Sequence, residues 1–244
     1  MSGEESRGVV ATPSGPLYWL TLADDDNAGQ DEAATAWLTA DELTHWRGLH
    51  AAKRRGDWLL GRRAAKRLIA GVVEGKTGQP LSPNQIAVLP HADGWPIVTV
   101  PNGPPLTLSI SHAQNRALCA VMVGDGRAMG ADVEAIAERS PAFIEDYFTP
   151  LERQFLAVVP PEQRVALVNA IWSGKEAALK AIRRGLAEDT RLVSCLPHPA
   201  LDESARWWLL RFVWHEERAD RNLPRLTGRW RRHGDFVLTL AFPG

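Results

Sequence analysis

Apolar and polar positions along this chain alternate in short stretches and recur at helical spacing in longer ones. Residues 1 to about 14 read as a loose tail, and Leu17 to Leu22 as a short strand. Asp24 to Asp31 is an acidic, glycine-containing loop. Thr39 followed three residues later by Glu42 has the form of a capping box. The helix it opens is expected to reach His50 and to resume from Arg54 to Val73. Gly75, Gly78, Pro80, Ser82 and Pro83 supply turn chemistry. Ile86 to Leu89 and Pro96 to Val100 then read as strands around a turn at His91 to Gly94. Leu106 to Ile110, Ala117 to Val123 and Met129 to Glu134 are three further strands, with Gly124-Asp125-Gly126 as a turn between the last two. Thr149, Pro150 and Glu152 mark another helix start: cap, first helical residue and capping-box acid. The next helix is expected from about Glu162 to Arg184, ending at Gly185. Trp207 to His215 and Arg225 to Phe242 are strand-like, with a break near Pro224. Leu106 to Val123 and Leu226 to Phe242 share one pattern, each ending in a polar turn and a strand, which is either a sign of two similar halves or a chance likeness of strand pairs.

Composition narrows the class. The chain has 244 residues, 45% hydrophobic and 23% charged, which suits one large or two small domains with a buried core. A net charge of -1 gives no global field that would attract nucleic acid. The two cysteines, Cys119 and Cys195, lie far apart in apolar surroundings, so zinc-finger and thioredoxin patterns are excluded. The first residues are polar with no apolar secretory segment behind them, and no apolar run approaches a membrane span. The expectation is a cytoplasmic protein.

Four constellations carry candidate chemistry. In Gly130-Ala131-Asp132-Val133-Glu134, strand alternation puts Asp132 and Glu134 on one face and Ala131 and Val133 toward the core. Two adjacent carboxylates favour a hard divalent cation, although the triplet alone equally describes two solvated acids at a strand end. In the helical stretch Trp172-Ser173-Gly174-Lys175-Glu176-Ala177-Ala178-Leu179-Lys180, Trp172, Glu176 and Lys180 share a face. Gly174 in mid-helix costs about 1 kcal/mol against alanine, so something is expected to approach the backbone there. A surface Glu-to-Lys pair would explain neither the tryptophan nor the glycine. The strand Leu108-Ser109-Ile110-Ser111-His112 ends in a Ser-His pair without the G-x-S-x-G elbow of a hydrolase. A basic run, Arg47, Lys53, Arg54, Arg55, Arg62, Arg63, Lys66 and Arg67, lies mostly on a helix with Trp58, Leu59, Leu60, Leu68 and Ile69, so one side should pack and the other should suit phosphates. Together these form an inventory for a metal-bound polyphosphate, without a Walker loop or a G-x-G-x-x-G fingerprint.

The order and spacing resemble the phosphopantetheinyl transferases of the large, surfactin-synthase-activating (Sfp-like) type. Their G-[IV]-D-[IV]-E segment, W-[ST]-x-K-E-A-x-x-K motif and strand into S-H-S appear here as Gly130 to Glu134, Trp172 to Lys180, and Ser109-Ile110-Ser111-His112-Ala113. Phe148-Thr149-Pro150-Leu151-Glu152 is similar to the family's segment between the acidic motifs, and the likeness spans roughly residues 40 to 186.

The resemblance implies an α+β monomer of two similar α/β subdomains, 1-124 and 125-244, related by a pseudo-twofold axis with the active site in the cleft between them. It implies Asp132, Glu134 and Glu176 as ligands of magnesium or manganese, and Glu176 and Lys180 as catalytic residues. For coenzyme A it implies His112 and Ser111, the basic positions Arg47, Lys53, Arg54 and Arg55, Lys175 at a phosphate, and Gly94 and Pro96 near the nucleotide. The chain departs from the family pattern at Trp95, where a lysine is usual, at Ala113 in place of serine, and at Ala131 in place of a branched residue. The implied reaction moves 4'-phosphopantetheine from coenzyme A to a serine of an acyl, peptidyl or polyketide carrier, releasing 3',5'-ADP, in fatty-acid, polyketide or nonribosomal-peptide (secondary) metabolism. Neither nucleic acid nor membrane is implied as a partner. A metal-dependent phosphodiesterase or nuclease and a non-catalytic coenzyme A-binding module are the alternatives; retention of all three acids and Lys180 speaks against the second.

Overall fold

Both Thr-x-x-Glu signals open helices. The computed structural model describes residues 4–24, 35–185, 188–199, 206–215 and 223–244. The chain separates into two compact units, Met1–Arg127 and Ala128–Gly244.

In the first unit, the stretch expected to be a loose tail is instead a strand. β1 (Glu5–Thr12) pairs antiparallel along its whole length with β2 (Gly15–Ala23). The sequence Ser6-Arg7-Gly8-Val9-Val10 conceals it because β1 is an edge strand: only Val10 among its side chains is buried, so no apolar alternation announces it. The loop expected from Asp24 to Asp31 falls outside the described residues beyond Asp24. α1 (Ala40–Arg47) and the 26-residue α2 (Ala52–Thr77) follow, then the hairpin of β3 (Ala87–Pro90) and β4 (Pro96–Thr99). β5 (Leu106–Ala113) and β6 (Arg116–Val123) complete an antiparallel sheet in the order β1-β2-β6-β5. α2 covers one sheet face through Leu60, Ala64, Leu68 and Ile69, against Leu20, Leu22, Ala117 and Cys119.

The second unit is also a helix-covered antiparallel sheet, with five strands in one sheet where the first has four and a separate hairpin. β7 (Gly130–Ala135), α3 (Pro141–Tyr147), α4 (Pro150–Val158) and the 21-residue α5 (Pro161–Ala181) precede β8 (Val193–Pro197), β9 (Trp208–Trp214), β10 (Leu226–His233) and β11 (Phe236–Pro243). The sheet order is β7-β11-β10-β9-β8, and α5 packs on it through Leu167, Ala170, Ile171 and Ala178. α3 and β8 are not legible in the sequence: α3 has seven residues and β8 five, each too short to display a period. The likeness of Leu106–Val123 to Leu226–Phe242 has a structural counterpart. Both stretches are hairpins closed by two residues, with register Ala113↔Arg116 in one and His233↔Phe236 in the other. Gln114 and Asn115 have φ of 44° and 61°, and Gly234 has 58°, the left-handed backbone that two-residue hairpins require. Among the described residues no helix is long and apolar enough to cross a membrane.

Candidate active site

Asp132, Glu134 and Glu176 converge in the second unit, each offering a carboxylate oxygen within 4.8 Å of the others. β7 brings the first two on one face, and α5 lies across that face. The approach is close because of Gly130: a Cβ there would come within 1.9 Å of the Ala177 carbonyl oxygen. Gly174 does the same toward the other edge of the sheet, where a Cβ would meet Leu210 at 3.0 Å and Cys195 at 3.3 Å, which explains the glycine in mid-helix.

Each acid is held. Lys180 donates from Nζ to Asp132 Oδ1 at 2.6 Å, and Ser173 Oγ donates to Asp132 Oδ2 at 2.7 Å. Arg139 donates to Glu134 Oε2 at 2.8 Å, and Trp172 Nε1 donates to Oε1 at 3.2 Å. Lys180 Nζ also lies 3.9 Å from Glu176. Burial and the Asp132 charge still push the Glu176 carboxyl up to about 8, against a weaker pull from Lys180. Burial likewise raises Glu134. A cluster that holds a proton against its own lysine has excess negative charge, and its donors are all oxygen, so it fits a hard divalent cation. Trp172, Glu176 and Lys180 occupy one helix face, as their spacing requires. Ser173 and Arg139 join the cluster without standing out in the sequence. Arg139 lies in a loop with no regular spacing to Glu134, and Ser173 is legible only as part of its motif.

Lys175 is a correction. It was expected at a phosphate, but its side chain is 0% exposed. Nζ lies 2.9 Å from Glu152 Oε2 and donates to the carbonyls of Thr190 and Val193 at 2.9 and 2.7 Å. One residue before Glu176 on a helix, it points about 100° away from the acid cluster and into the α5–β8 packing. Lys66, counted with the basic face of α2, is likewise buried, paired with Glu42 at 2.5 Å.

The first unit contains a pocket of about 590 Å³ lined by Lys53, Arg54, Trp58, Arg62, Gly94, Pro96 and His112, among others. Gly94, with φ 96°, forms the β3–β4 turn, which only glycine adopts without strain. His112 and Ile110 share one face of β5 and line the pocket. Ser111, expected at the same ligand, is buried on the opposite face because strand side chains alternate. Arg47 and Arg55 do not line the pocket either. Arg47 ends α1, and the Arg55 guanidinium lies over the Trp46 ring at 5.6 Å. Arg62 belongs to the basic run, where the sequence gives it no separate role. Here its guanidinium lies over Trp58 at 4.4 Å, Nε donates to the Val88 carbonyl at 2.7 Å, and burial lowers its pKa to about 10. The four-residue spacing of Trp58, Arg62 and Lys66 is the signal that could have found it.

A family model described as the 4'-phosphopantetheinyl transferase superfamily matches residues 128–241. The chain is 29% identical over 205 residues to the 4'-phosphopantetheinyl transferase HetI of Nostoc sp. (strain PCC 7120), with 81% of each chain covered. It is 25% identical over 176 residues to a 4'-phosphopantetheinyl transferase of Bacillus subtilis, covering 70% of this chain and 71% of the other. Among solved structures, a holo-(acyl-carrier-protein) synthase from Bacillus anthracis in complex with CoA (3',5'-ADP) is similar with a TM-score of 0.38 and 21% identity, covering 48% of this chain and 97% of that one.

Proposed function

We propose that this chain, whose residues 128–241 match the 4'-phosphopantetheinyl transferase superfamily, loads carrier proteins through Asp132, Glu134, Glu176 and Lys180, with the nucleotide end of coenzyme A taken by the Lys53–Arg54–His112 pocket. The enzyme transfers 4'-phosphopantetheine from coenzyme A to a carrier serine. The observation that carries the residue assignment is the convergence of three carboxylates beside the Lys180 ammonium.

In the proposed mechanism Asp132, Glu134 and Glu176 hold the divalent cation, magnesium or manganese, which when bound supplies charge neutralisation at the pyrophosphate. The Glu176 carboxylate takes the proton of the carrier serine, directly or through water. The serine oxygen forms a bond to the phosphorus that carries pantetheine, and the pyrophosphate bond to 3',5'-ADP breaks. Lys180, fixed by Asp132, stabilises the negative charge arriving on the departing phosphate. Lys53, Arg54 and His112 supply cations and donors for the 3'-phosphate. The division of labour follows the expected subdomains, 1-124 for coenzyme A and 125-244 for metal and catalysis. The pseudo-twofold relation of the halves, a monomeric state and a cytoplasmic location belong to the same proposal. Intact-mass measurement of apo fatty-acid, polyketide and peptide carriers, incubated with coenzyme A and magnesium, tests it. A gain of one phosphopantetheine is expected, and unchanged masses for every carrier would overturn it.

A further inference from the structure

Neither Lys175 nor Glu152 touches the carboxylate cluster or the pocket, yet the pair joins four segments. Glu152 is the capping-box acid of α4. Its Oε2 accepts from the Thr149 N–H at 2.7 Å and its Oε1 from the Cys195 N–H of β8 at 2.7 Å. Lys175 closes the arrangement from α5 and adds the carbonyls of Thr190 and Val193, at the entry to β8. The first unit contains the same device. Glu42, the capping-box acid of α1, accepts from the Thr39 N–H at 2.8 Å and from the Val88 N–H of β3 at 2.9 Å. Lys66 closes it from α2 and donates to the carbonyls of Trp37 and Pro83 at 3.2 and 2.9 Å.

Stability alone does not call for either pair, because apolar residues of similar volume often serve a buried site as well or better. What an ammonium bonded to a carboxylate and two carbonyls supplies is direction: it fixes the rotation and axial setting of its helix. The next residue in the second unit is Glu176, whose oxygens must meet those of Asp132 and Glu134. In the first unit the effect passes through Val88, whose N–H is held by Glu42 and whose carbonyl holds Arg62 at the pocket wall.

We infer that Lys175–Glu152 positions Glu176 for the metal cluster and that Lys66–Glu42 positions Arg62 for coenzyme A. This rests on reading the cluster and the pocket as metal and coenzyme A sites. Both pairs act through other residues, so they are positioning residues and not catalytic ones.

Two paired replacements test the inference: Glu152→Leu with Lys175→Met, and Glu42→Leu with Lys66→Met. The readouts are Mn2+ affinity by electron paramagnetic resonance, thermal melting, and kcat and KM for coenzyme A. The first pair should melt cooperatively, bind Mn2+ about 10- to 100-fold more weakly and lose on the order of a hundredfold in kcat, with KM nearly unchanged. The second pair should leave Mn2+ affinity and kcat nearly unchanged and raise KM about tenfold or more. Equal effects of the two pairs on all three quantities, or no effect beyond melting temperature, would overturn the inference. If the first pair fails to melt cooperatively, Lys175→Arg replaces it. The planar guanidinium cannot reproduce the ammonium's three bonds, so Mn2+ affinity and kcat should each fall several-fold, and wild-type values would overturn the inference. Asp132→Asn separates the metal site from the positioning role. Undiminished Mn2+ affinity in that variant overturns the site reading and this inference with it. Lost affinity there, beside normal affinity in the Lys175 variants, overturns the inference alone.

Discussion

Gly130 and Ala177 meet backbone to backbone: a Cβ on Gly130 would stand 1.9 Å from the Ala177 carbonyl oxygen. That contact seats β7 under α5 and brings Asp132 and Glu134 within reach of Glu176. Gly130→Ala should therefore cost at least the roughly 1–3 kcal/mol of an overpacked core. For a chain of this size that lowers the melting temperature by about 2–12 °C. Gly174→Ala should cost less, because its nearest neighbours at 3.0–3.3 Å are side-chain atoms of Leu210 and Cys195 that can shift. Calorimetry of both variants checks the order; a Gly130→Ala protein with wild-type stability would refute the close approach.

Glu176 and Lys180 separate a surface ion pair from a catalytic one. An exposed i,i+4 pair is worth a few tenths of a kcal/mol and nothing in rate. Glu176→Gln should instead reduce single-turnover transfer by about a hundredfold to ten-thousandfold, the usual value of a general base. Lys180→Ala should slow turnover while leaving coenzyme A affinity less affected, since its contribution is greatest at the leaving group. Near-normal transfer in both variants would remove their proposed roles.

Metal dependence should carry a proton signature. Glu176 titrates at about 8 in the folded protein, against an ordinary value of 4.5. A raised carboxyl pKa favours folding most below the ordinary value, and the benefit is lost as pH climbs through the folded one. In EDTA, melting temperature should thus fall between about pH 5 and 8, and the Glu176→Gln variant should lack that component. Mn2+ should displace the proton, so its affinity should increase over the same range. Calorimetric titration near pH 7 in buffers of different ionisation enthalpy measures the released proton directly; no release would contradict the assignment of Glu176. EDTA should stop transfer, and Asp132→Ala should lose nearly all of it.

If the Lys53–Arg54–His112 pocket takes the 3'-phosphate, coenzyme A gains contacts there that its dephosphorylated form cannot make. Coenzyme A should bind more tightly than dephospho-coenzyme A, by roughly 1.5–3 kcal/mol for each charge-assisted hydrogen bond to that phosphate. Arg54→Ala and His112→Ala should narrow the gap, whereas Arg47→Ala, outside the pocket lining, should not. Titration calorimetry at fixed salt checks it, and equal affinities for the two ligands in the wild-type protein would refute it.

Much of the site is legible because its signals are local. Asp132 and Glu134 share a face through strand period, Trp172, Glu176 and Lys180 through helical period, and both capping boxes are visible as Thr-x-x-Glu. The edge strand β1 is not legible, since its pairing is satisfied by backbone groups and its side chains mostly face outward. Lys175 and Glu152 show the boundary most sharply. Their residue types suit a phosphate site and a capping box, and the capping box is present, but their mutual pairing spans 23 residues and depends on how α5 settles on β8.

By itself, then, the sequence determined which residues could act together within one element: the acids on β7, the acid and lysine on α5, and the helix starts. Those follow from backbone periods of two and 3.6 and need no partner. The tertiary structure decided which lysine reaches the acids and which is sealed away, and which arginines line the pocket. Residues 175 and 180 are both lysines on one helix; the packing of α5 exposes one to the carboxylates and buries the other among carbonyls. That choice depends on where the sheet lies around the helix, a relation between segments distant in sequence that no local period encodes.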